Sequence, residues 1–344
     1  MISESNIAME TDLYITVPDA PSILGLTFRH FSGKEDYLAM VNVLNGSKEE
    51  DQLEFSISVE DIANEFDHLY NFDPSTDMLF VEMNGSVIGY GEVWWEDLED
   101  ECVCPHVTYL LPEWRGKGIR RAMLHHIEQR SREIRLSHLA EKPHFYQAWT
   151  QETETHWISL LESEGYRPVR YGFRMARSLS EPIPDIPLPE GIEVHPAHPD
   201  QYWTIWRAAC QSLRELWQGS RFRDEMFEEW MGDSTFNPAL WIVAWDTNDR
   251  VAGTVLNFIN EAENREYHCK RGHVEFVTVA QPHRGKGLAK ALIALSLSRL
   301  RQEGMAEAVL GVDAKNPSGA LHLYEHMGFN PVKRRATYQK SMDK

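Results

Sequence analysis

Two short stretches carry residue types suited to holding an anion: Arg115-Gly116-Lys117-Gly118 and Arg284-Gly285-Lys286-Gly287. Glycine lets a backbone curl tightly and approach a ligand closely. The residues that follow, from Ile119 and from Leu288, read as helix starts. The first amides of a helix lack intrahelical acceptors and carry partial positive charge, which suits a phosphate or pyrophosphate. Arg115, Lys117, Arg284 and Lys286 add basic side chains in a chain whose formal net charge is −19. Neither stretch is a P-loop, because glycine follows Lys117 and Lys286 where Ser or Thr is needed. Neither is a dinucleotide fingerprint, because Arg121 and Lys290 stand where Gly or Ala belongs.

A second set of groups lies just before the later stretch, in "GHVEFVTV". Strand alternation puts His273, Glu275 and Val277 on one face. Either His273 or Glu275 has the chemistry to accept a proton, His273 with a reference pKa nearer neutrality. The plain alternative is a charged residue on a half-exposed sheet face. The matching positions of the first half are Cys104 and His106.

These groups need elements to position them, and the chain supplies the same elements twice. Each half has an apolar run, a short turn and a second apolar run: "DMLFVEMN", Asn84-Gly85, "SVIGYGEVWW"; then "ALWIVAWD", Thr247 to Asp249, "RVAGTVLNFI". Asn-Gly between apolar runs is a hairpin signal. A third strand follows in each half, then the glycine loop, then a helix; Leu288, Leu292 and Leu295 recur at near-helical spacing. A further strand and short helix lead to Gly165-Tyr166-Arg167-Pro168-Val169 and Gly328-Phe329-Asn330-Pro331-Val332. Landmarks repeated in order point to an internal duplication. The expected division is a first domain over 22–178, a proline-rich linker over 179–190 and a second domain over 191–344.

Composition narrows the function classes. A net charge of −19 disfavours nucleic acid and anionic lipid and favours cationic ligands. The acidic run from Glu96 to Glu101 reads as a solvated loop. Cys102, Cys104, Cys210 and Cys269 lack metal-site spacing and read as reduced thiols, so no metal is expected. No apolar run is long enough to cross a membrane, and the first residues lack a secretory pattern, so a cytoplasmic protein is expected.

At the glycine loops the chain resembles the GNAT superfamily of acetyl-coenzyme A-dependent N-acetyltransferases. The residues that carry the likeness are Arg115 to Gly118, Arg284 to Gly287, and in the second half Asn316, Ala320, Leu323-Tyr324 and Gly328-Phe329. Both loops depart from the family's leading Gln or Arg, with Glu113 and Pro282 there instead. The resemblance implies an α+β (α/β) chain of two tandem GNAT-like domains. Each would be a mixed, mainly antiparallel sheet flanked by helices, with a splayed centre that admits acetyl-CoA. It further implies that Val277, Thr278, Val279, Arg284, Gly285, Lys286, Gly287, Leu288, Ala289 and Asn316 hold acetyl-CoA in the second domain. Arg115, Gly116, Lys117, Gly118 and Ile119 form the corresponding grip in the first.

The same likeness puts Tyr324 in the role of general acid and favours Glu275, with His273 as the alternative, as base. Leu161 occupies the position matching Tyr324 in the first half, so that half is expected to be degenerate or structural, with Tyr166 as an unmotivated substitute donor. The expected acceptor is a small-molecule primary amine, a polyamine or aminosugar, bound beneath the helix containing Trp203, Trp206 and Trp217. No nucleic acid or membrane partner is expected, and the chain would be a monomer or homodimer. Two rival readings stay open: a non-catalytic acyl-CoA-binding tandem module, and an aminoacyl transferase of the peptide-branching type.

Overall fold

The apolar runs flanking Asn84-Gly85 pair as a hairpin. In the computed structural model, which describes residues 13–137, 142–216, 223–315 and 319–343, Asn84 takes φ 52° and Gly85 φ 82°. A tight two-residue hairpin of the type I′ class needs these two positive values. The chain divides into two compact units, Met1–Val169 with Ala336–Lys344, and Arg170–Arg335.

The strands of unit 1 are β1 (Tyr14–Ile15), β2 (Leu26–Arg29), β3 (Met78–Met83), β4 (Ser86–Val93), β5 (Glu96–Asp97), β6 (Cys102–Leu110) and β7 (His144–Gln151). Its sheet runs β1-β2-β3-β4-β6-β7, with β6 and β7 parallel and the other pairs antiparallel. Helices α1 (Asp36–Asp51), α2 (Val59–Asp67), α3 (Ile119–Ser137) and α4 (Thr155–Ser163) flank it. One cluster joins Leu79, Val81, Ile119 and Met123; a second joins Tyr37, Met40, Phe80 and Tyr90. Alternate residues of β3 thus feed different clusters, as period-two geometry requires.

Unit 2 repeats the plan. Its strands are β8 (Arg167–Ser178, from Arg170), β9 (Ile192–His195), β10 (Ile242–Asp246), β11 (Val251–Phe258), β12 (Arg271–Val279) and β13 (Glu307–Asp313). The order is β8-β13-β12-β11-β10-β9, with β12 and β13 parallel and the rest antiparallel. The helices are α5 (Tyr202–Leu216), α6 (Phe227–Gly232), α7 (Glu261–Glu266), α8 (Leu288–Gln302) and α9 (Ala320–His326). The inner stripe of α8 is Leu288, Ala291, Leu292, Ser296, Leu297 and Leu300. Leu295, expected on that stripe, is exposed, and the stripe continues from Leu292 through Ser296 instead.

The central strand of each unit serves two neighbours in turn. Residues Cys102–Pro105 of β6 pair with β7, and His106–Leu110 pair with β4. Residues Arg271–His273 of β12 pair with β13, and His273–Val279 pair with β11. Past Pro105 and past His273 the parallel neighbours part, which leaves one edge of the strand open. The splayed centre expected of each half is therefore present.

The unit boundaries fall elsewhere than the proline-rich segment. Residues 182–189 form no helix or strand, yet Ile183, Ile186 and Leu188 pack on the main cluster of unit 2. Apolar residues alternating with prolines explain this, since an extended backbone presents them to a surface. At the other end, β14 (Asn330–Ser341) enters unit 1 from Ala336, next to β7. There the Lys340 Nζ donates to both carboxylate oxygens of Glu128 at 2.7 and 2.9 Å, and the Tyr338 hydroxyl donates to Glu162 at 3.1 Å. The Glu128 side chain is only 6% exposed. Lys340→Met removes that carboxylate's shortest ion pair, leaving Arg132 at 3.9 Å, and should lower unfolding free energy by about 1 kcal/mol. Urea denaturation reads this, and an unchanged midpoint would count against the pair as a structural tie.

Candidate functional site

The two glycine loops have nearly the same backbone. Gly116 and Gly285 both take φ 73°, while Gly118 takes 85° and Gly287 takes 83°. These values favour glycine. A Cβ added at Gly116, Gly285 or Gly287 would meet no atom within 4 Å, so conformation and not crowding requires glycine there. In each unit the first helical bond runs to the second glycine, Ala122 N–H to Gly118 at 3.1 Å and Ala291 N–H to Gly287 at 3.2 Å. The N–H groups of Leu288, Ala289 and Lys290 thus have no intrahelical acceptor. Open space above unpaired amides fits a pyrophosphate.

The loop arginines, expected at the cofactor, are hydrogen-bonded within the chain. Arg284 Nε donates to the Val279 carbonyl at 2.9 Å and Nη2 to Glu215 at 2.8 Å. Arg115 donates to the Leu110 carbonyl at 3.1 Å and to both oxygens of Asp51 at 2.7 and 2.6 Å. Each guanidinium ties the end of the central strand to a helix carboxylate, which neutralises its charge. Lys117 lies over the Trp114 ring at 4.3 Å. Lys286 has no carboxylate partner among the described residues, and it lines a cavity of about 340 Å³ with His283, Arg250 and Leu288.

Strand β12 is bulged beside the open edge. Thr254 pairs with Thr278 and Leu256 with Glu275, so Val255 alone faces Phe276 and Val277. Phe276 takes φ 47°, an uncommon value for a bulky residue. The bulge resets the alternation expected from the sequence. Val277 packs with Val274 and Val279, while Glu275 and Phe276 line a cavity of about 230 Å³. Glu275 and Val277 therefore do not share a face. The matching β4–β6 ladder of unit 1 runs in register without a bulge.

Glu275 and Tyr324 lie within each other's field. Burial pushes the Tyr324 phenol well up, and the Glu275 charge raises it further. Burial also lifts the Glu275 carboxyl above its usual range, against the pull of His273 and Arg335. Tyr324 is 7% exposed, and its ring meets Phe329 edge-on at 6.1 Å. Its hydroxyl has no hydrogen-bond partner among the described residues. His273 is engaged elsewhere: it stacks on Phe258 at 4.3 Å, and its Nε2 lies 3.3 Å from Glu263. Burial would raise Glu263, but His273 and Arg271 outweigh it and hold the carboxylate at about 2.

The cavity beside Glu275 is walled by Trp230, Phe236, Trp241, Phe258 and Phe276, with Asp233 at its margin. Trp230 and Trp241 stack at 4.8 Å. These wall residues were missed from sequence, since the segment from Phe227 to Trp241 has no regular period; its aromatic density was the available signal. Of the tryptophans expected near an acceptor, Trp206 is buried packing against Trp230 at 4.7 Å, and Trp203 is exposed. Trp217 and Asn316 lie outside the described residues.

In unit 1 the corresponding groups differ. The bulge shifts the correspondence expected from sequence: three residues along from Gly89 the unbulged ladder has Val107 opposite Glu92, where β12 has Glu275 opposite Leu256, and His106 instead shares a 2.9 Å hydrogen bond from its Nε2 with the Tyr166 hydroxyl. Burial depresses His106 to about 3, with Lys340 and Arg120 adding to the effect. Leu161, which stands in the place of Tyr324, is fully buried. Cys102, Cys104, Cys210 and Cys269 are free thiols, and no helix among the described residues is long and apolar enough to cross a membrane.

Comparison with known proteins matches this geometry. The profile described as "Acetyltransferase (GNAT) family" matches residues 202–329, and "Acetyltransferase (GNAT) domain" matches residues 74–149. Together they cover more than half of the chain. A mycothiol acetyltransferase from Salinispora arenicola is 29% identical over 237 residues, 67% of this chain and 71% of that protein. A GCN5-related N-acetyltransferase from Sphaerobacter thermophilus superposes with a TM-score of 0.67 at 24% identity, covering 93% of this chain and 96% of the other. A tandem GNAT protein from the clavulanic acid biosynthesis pathway does so with a TM-score of 0.67 at 15% identity, covering 92% and 98%. The chain belongs to the GNAT family, as an acetyl-CoA-dependent N-acetyltransferase with two such domains in tandem.

Proposed function

We propose that unit 2 moves the acetyl group of acetyl-CoA to a primary amine of a small molecule, with Glu275 as base and Tyr324 as acid. The observation that carries this reading is the pair itself: a half-buried carboxyl on β12 that lines a cavity, and a buried phenol, without a hydrogen-bond partner among the described residues, that lies in the carboxylate's field. The amine arrives protonated. Glu275 takes that proton directly or through water, and a raised carboxyl pKa makes it the stronger base near neutrality. The neutral nitrogen attacks the thioester carbonyl; as the tetrahedral intermediate collapses the C–S bond breaks, the sulfur takes the Tyr324 proton, and the nitrogen's second proton passes to the Tyr324 phenolate, while Glu275 returns its proton to solvent. A raised phenol pKa keeps that proton in place until it is needed.

Backbone groups of Val277, Thr278 and Val279 suit the extended arm of the cofactor, which pairs with an open strand edge. The amides of Gly285, Gly287, Leu288 and Ala289, with Lys286, suit its pyrophosphate. The bulge takes one of Phe276 and Val277 out of the ladder, so one amide is available to polarise the carbonyl. The contact between His273 and Glu263 supports a structural role for the histidine. Leu161 and the unbulged β6 support a non-catalytic unit 1. Aromatic walls with Asp233 and Glu275 favour a cationic amine on an apolar or ring-shaped body. Relatives named mycothiol acetyltransferase support a small-molecule acceptor.

Tyr324→Phe should lower kcat about 100-fold, with the KM for acetyl-CoA little changed. A wild-type rate in steady-state assays of CoA release would remove Tyr324 from the reaction. Glu275→Gln should abolish the ascending limb of the kcat/KM profile against pH. That limb should lie above the ordinary carboxylate range.

The same substitution should stabilise the protein. With its folded pKa raised, Glu275 holds its proton longer in the folded chain than in the unfolded one. Stability therefore falls as pH rises from the unfolded value through the folded one. Gln escapes that loss, so its advantage should appear near neutrality and vanish below about pH 4. Denaturant melts at both pH values read this; a variant less stable at neutral pH would contradict the buried carboxylate.

A further inference from the structure

The open edge of β6 is not free. Thr108 lies past the point where β7 leaves, and its carbonyl and hydroxyl both accept from the Arg120 guanidinium, the hydroxyl at 3.2 Å. The same guanidinium lies 4.1 Å over the Trp157 ring. Arg120 is 6% exposed, Thr108 1% and Trp157 3%. Nearby, His156 Nε2 accepts the Gly116 N–H at 3.3 Å, the loop amide that a phosphate would use.

The matching positions of unit 2 are small. Counted from Gly116 and Gly285, Arg120 corresponds to Ala289. Counted back from Gly165 and Gly328, His156 corresponds to Gly319 and Trp157 to Ala320. Thr108 corresponds to Val277, whose carbonyl no side chain bonds among the described residues. Three bulky residues thus converge on the strand edge and loop of unit 1, and three small ones leave the same place clear in unit 2. Core economy does not explain Arg120. It donates to no carboxylate among the described residues, and a buried guanidinium without one is unfavourable.

We infer that unit 1 has closed its own cofactor cleft with Arg120, Trp157 and His156, so that each chain binds one acetyl-CoA, in unit 2. The inference rests on the proposed use of the unit 2 cleft. Arg115, Gly116, Lys117, Gly118 and Ile119 then keep the shape of the grip without the ligand. Arg120 fills the space of the extended arm and takes over its hydrogen bonds to β6.

Titration calorimetry of the full chain with acetyl-CoA tests this. One site per chain is expected. Ala289→Arg, which puts the same side chain at the matching place in unit 2, should abolish it. The double variant Arg120→Ala with Trp157→Ala should gain a second site. Two sites in the unaltered chain would overturn the inference, and so would one site that survives Ala289→Arg. A double variant that melts cooperatively and gains no site would show that these residues do not close the cleft. If it fails to fold, the unaltered chain and Ala289→Arg still decide the matter. No site at all in the unaltered chain would instead refute the proposed function of unit 2.

Discussion

Backbone amides and carbonyls on a buried strand edge must find partners. In both units the central strand loses its parallel neighbour partway, past Pro105 and past His273. What satisfies the released edge determines what the unit can do. In unit 1 the chain supplies the partners itself, Arg115 at the Leu110 carbonyl and Arg120 at the Thr108 carbonyl. In unit 2 Arg284 takes only the last carbonyl, at Val279. The remaining edge is where an extended thioester has room to pair.

Charge follows the same division. In a chain of net charge −19, the loop arginines are neutralised by Asp51 and Glu215. They hold helix, loop and strand together. Desolvation then raises Glu275 toward neutrality, the sign required of a base, and keeps Tyr324 protonated. In unit 1 burial acts on the Glu92 carboxyl, lifted to about 8, and on a histidine. His106 is driven to about 3 and locked to Tyr166, which suits a packed interior.

Much of this was legible in the residues. The duplication, the hairpin at Asn84-Gly85, the glycine loops and the contrast of Tyr324 with Leu161 are local features, carried by residue type and spacing. The register of β12 was not. Alternation grouped Glu275 with Val277, and only the pairing of Thr254 and Leu256 reveals the extra residue between them. A bulge leaves no mark when the inserted residue is a phenylalanine. The partners of the loop arginines were hidden for a related reason: Asp51 lies 64 residues from Arg115 and Glu215 lies 69 from Arg284. The cavity walls Trp230, Phe236 and Trp241 come from an irregular segment that no period betrays. Arg120 went unread, although it stands beside Ile119 where the second loop has Ala289 beside Leu288.

The released strand edge is completed by side chains in unit 1 and left open to a ligand in unit 2. Amide hydrogen exchange with and without acetyl-CoA measures that directly. Protection should rise at residues 276–279 and 285–290 and stay unchanged at 106–110 and 116–121. Protection gained along 106–110 and 116–121, or none gained in either unit, would contradict it.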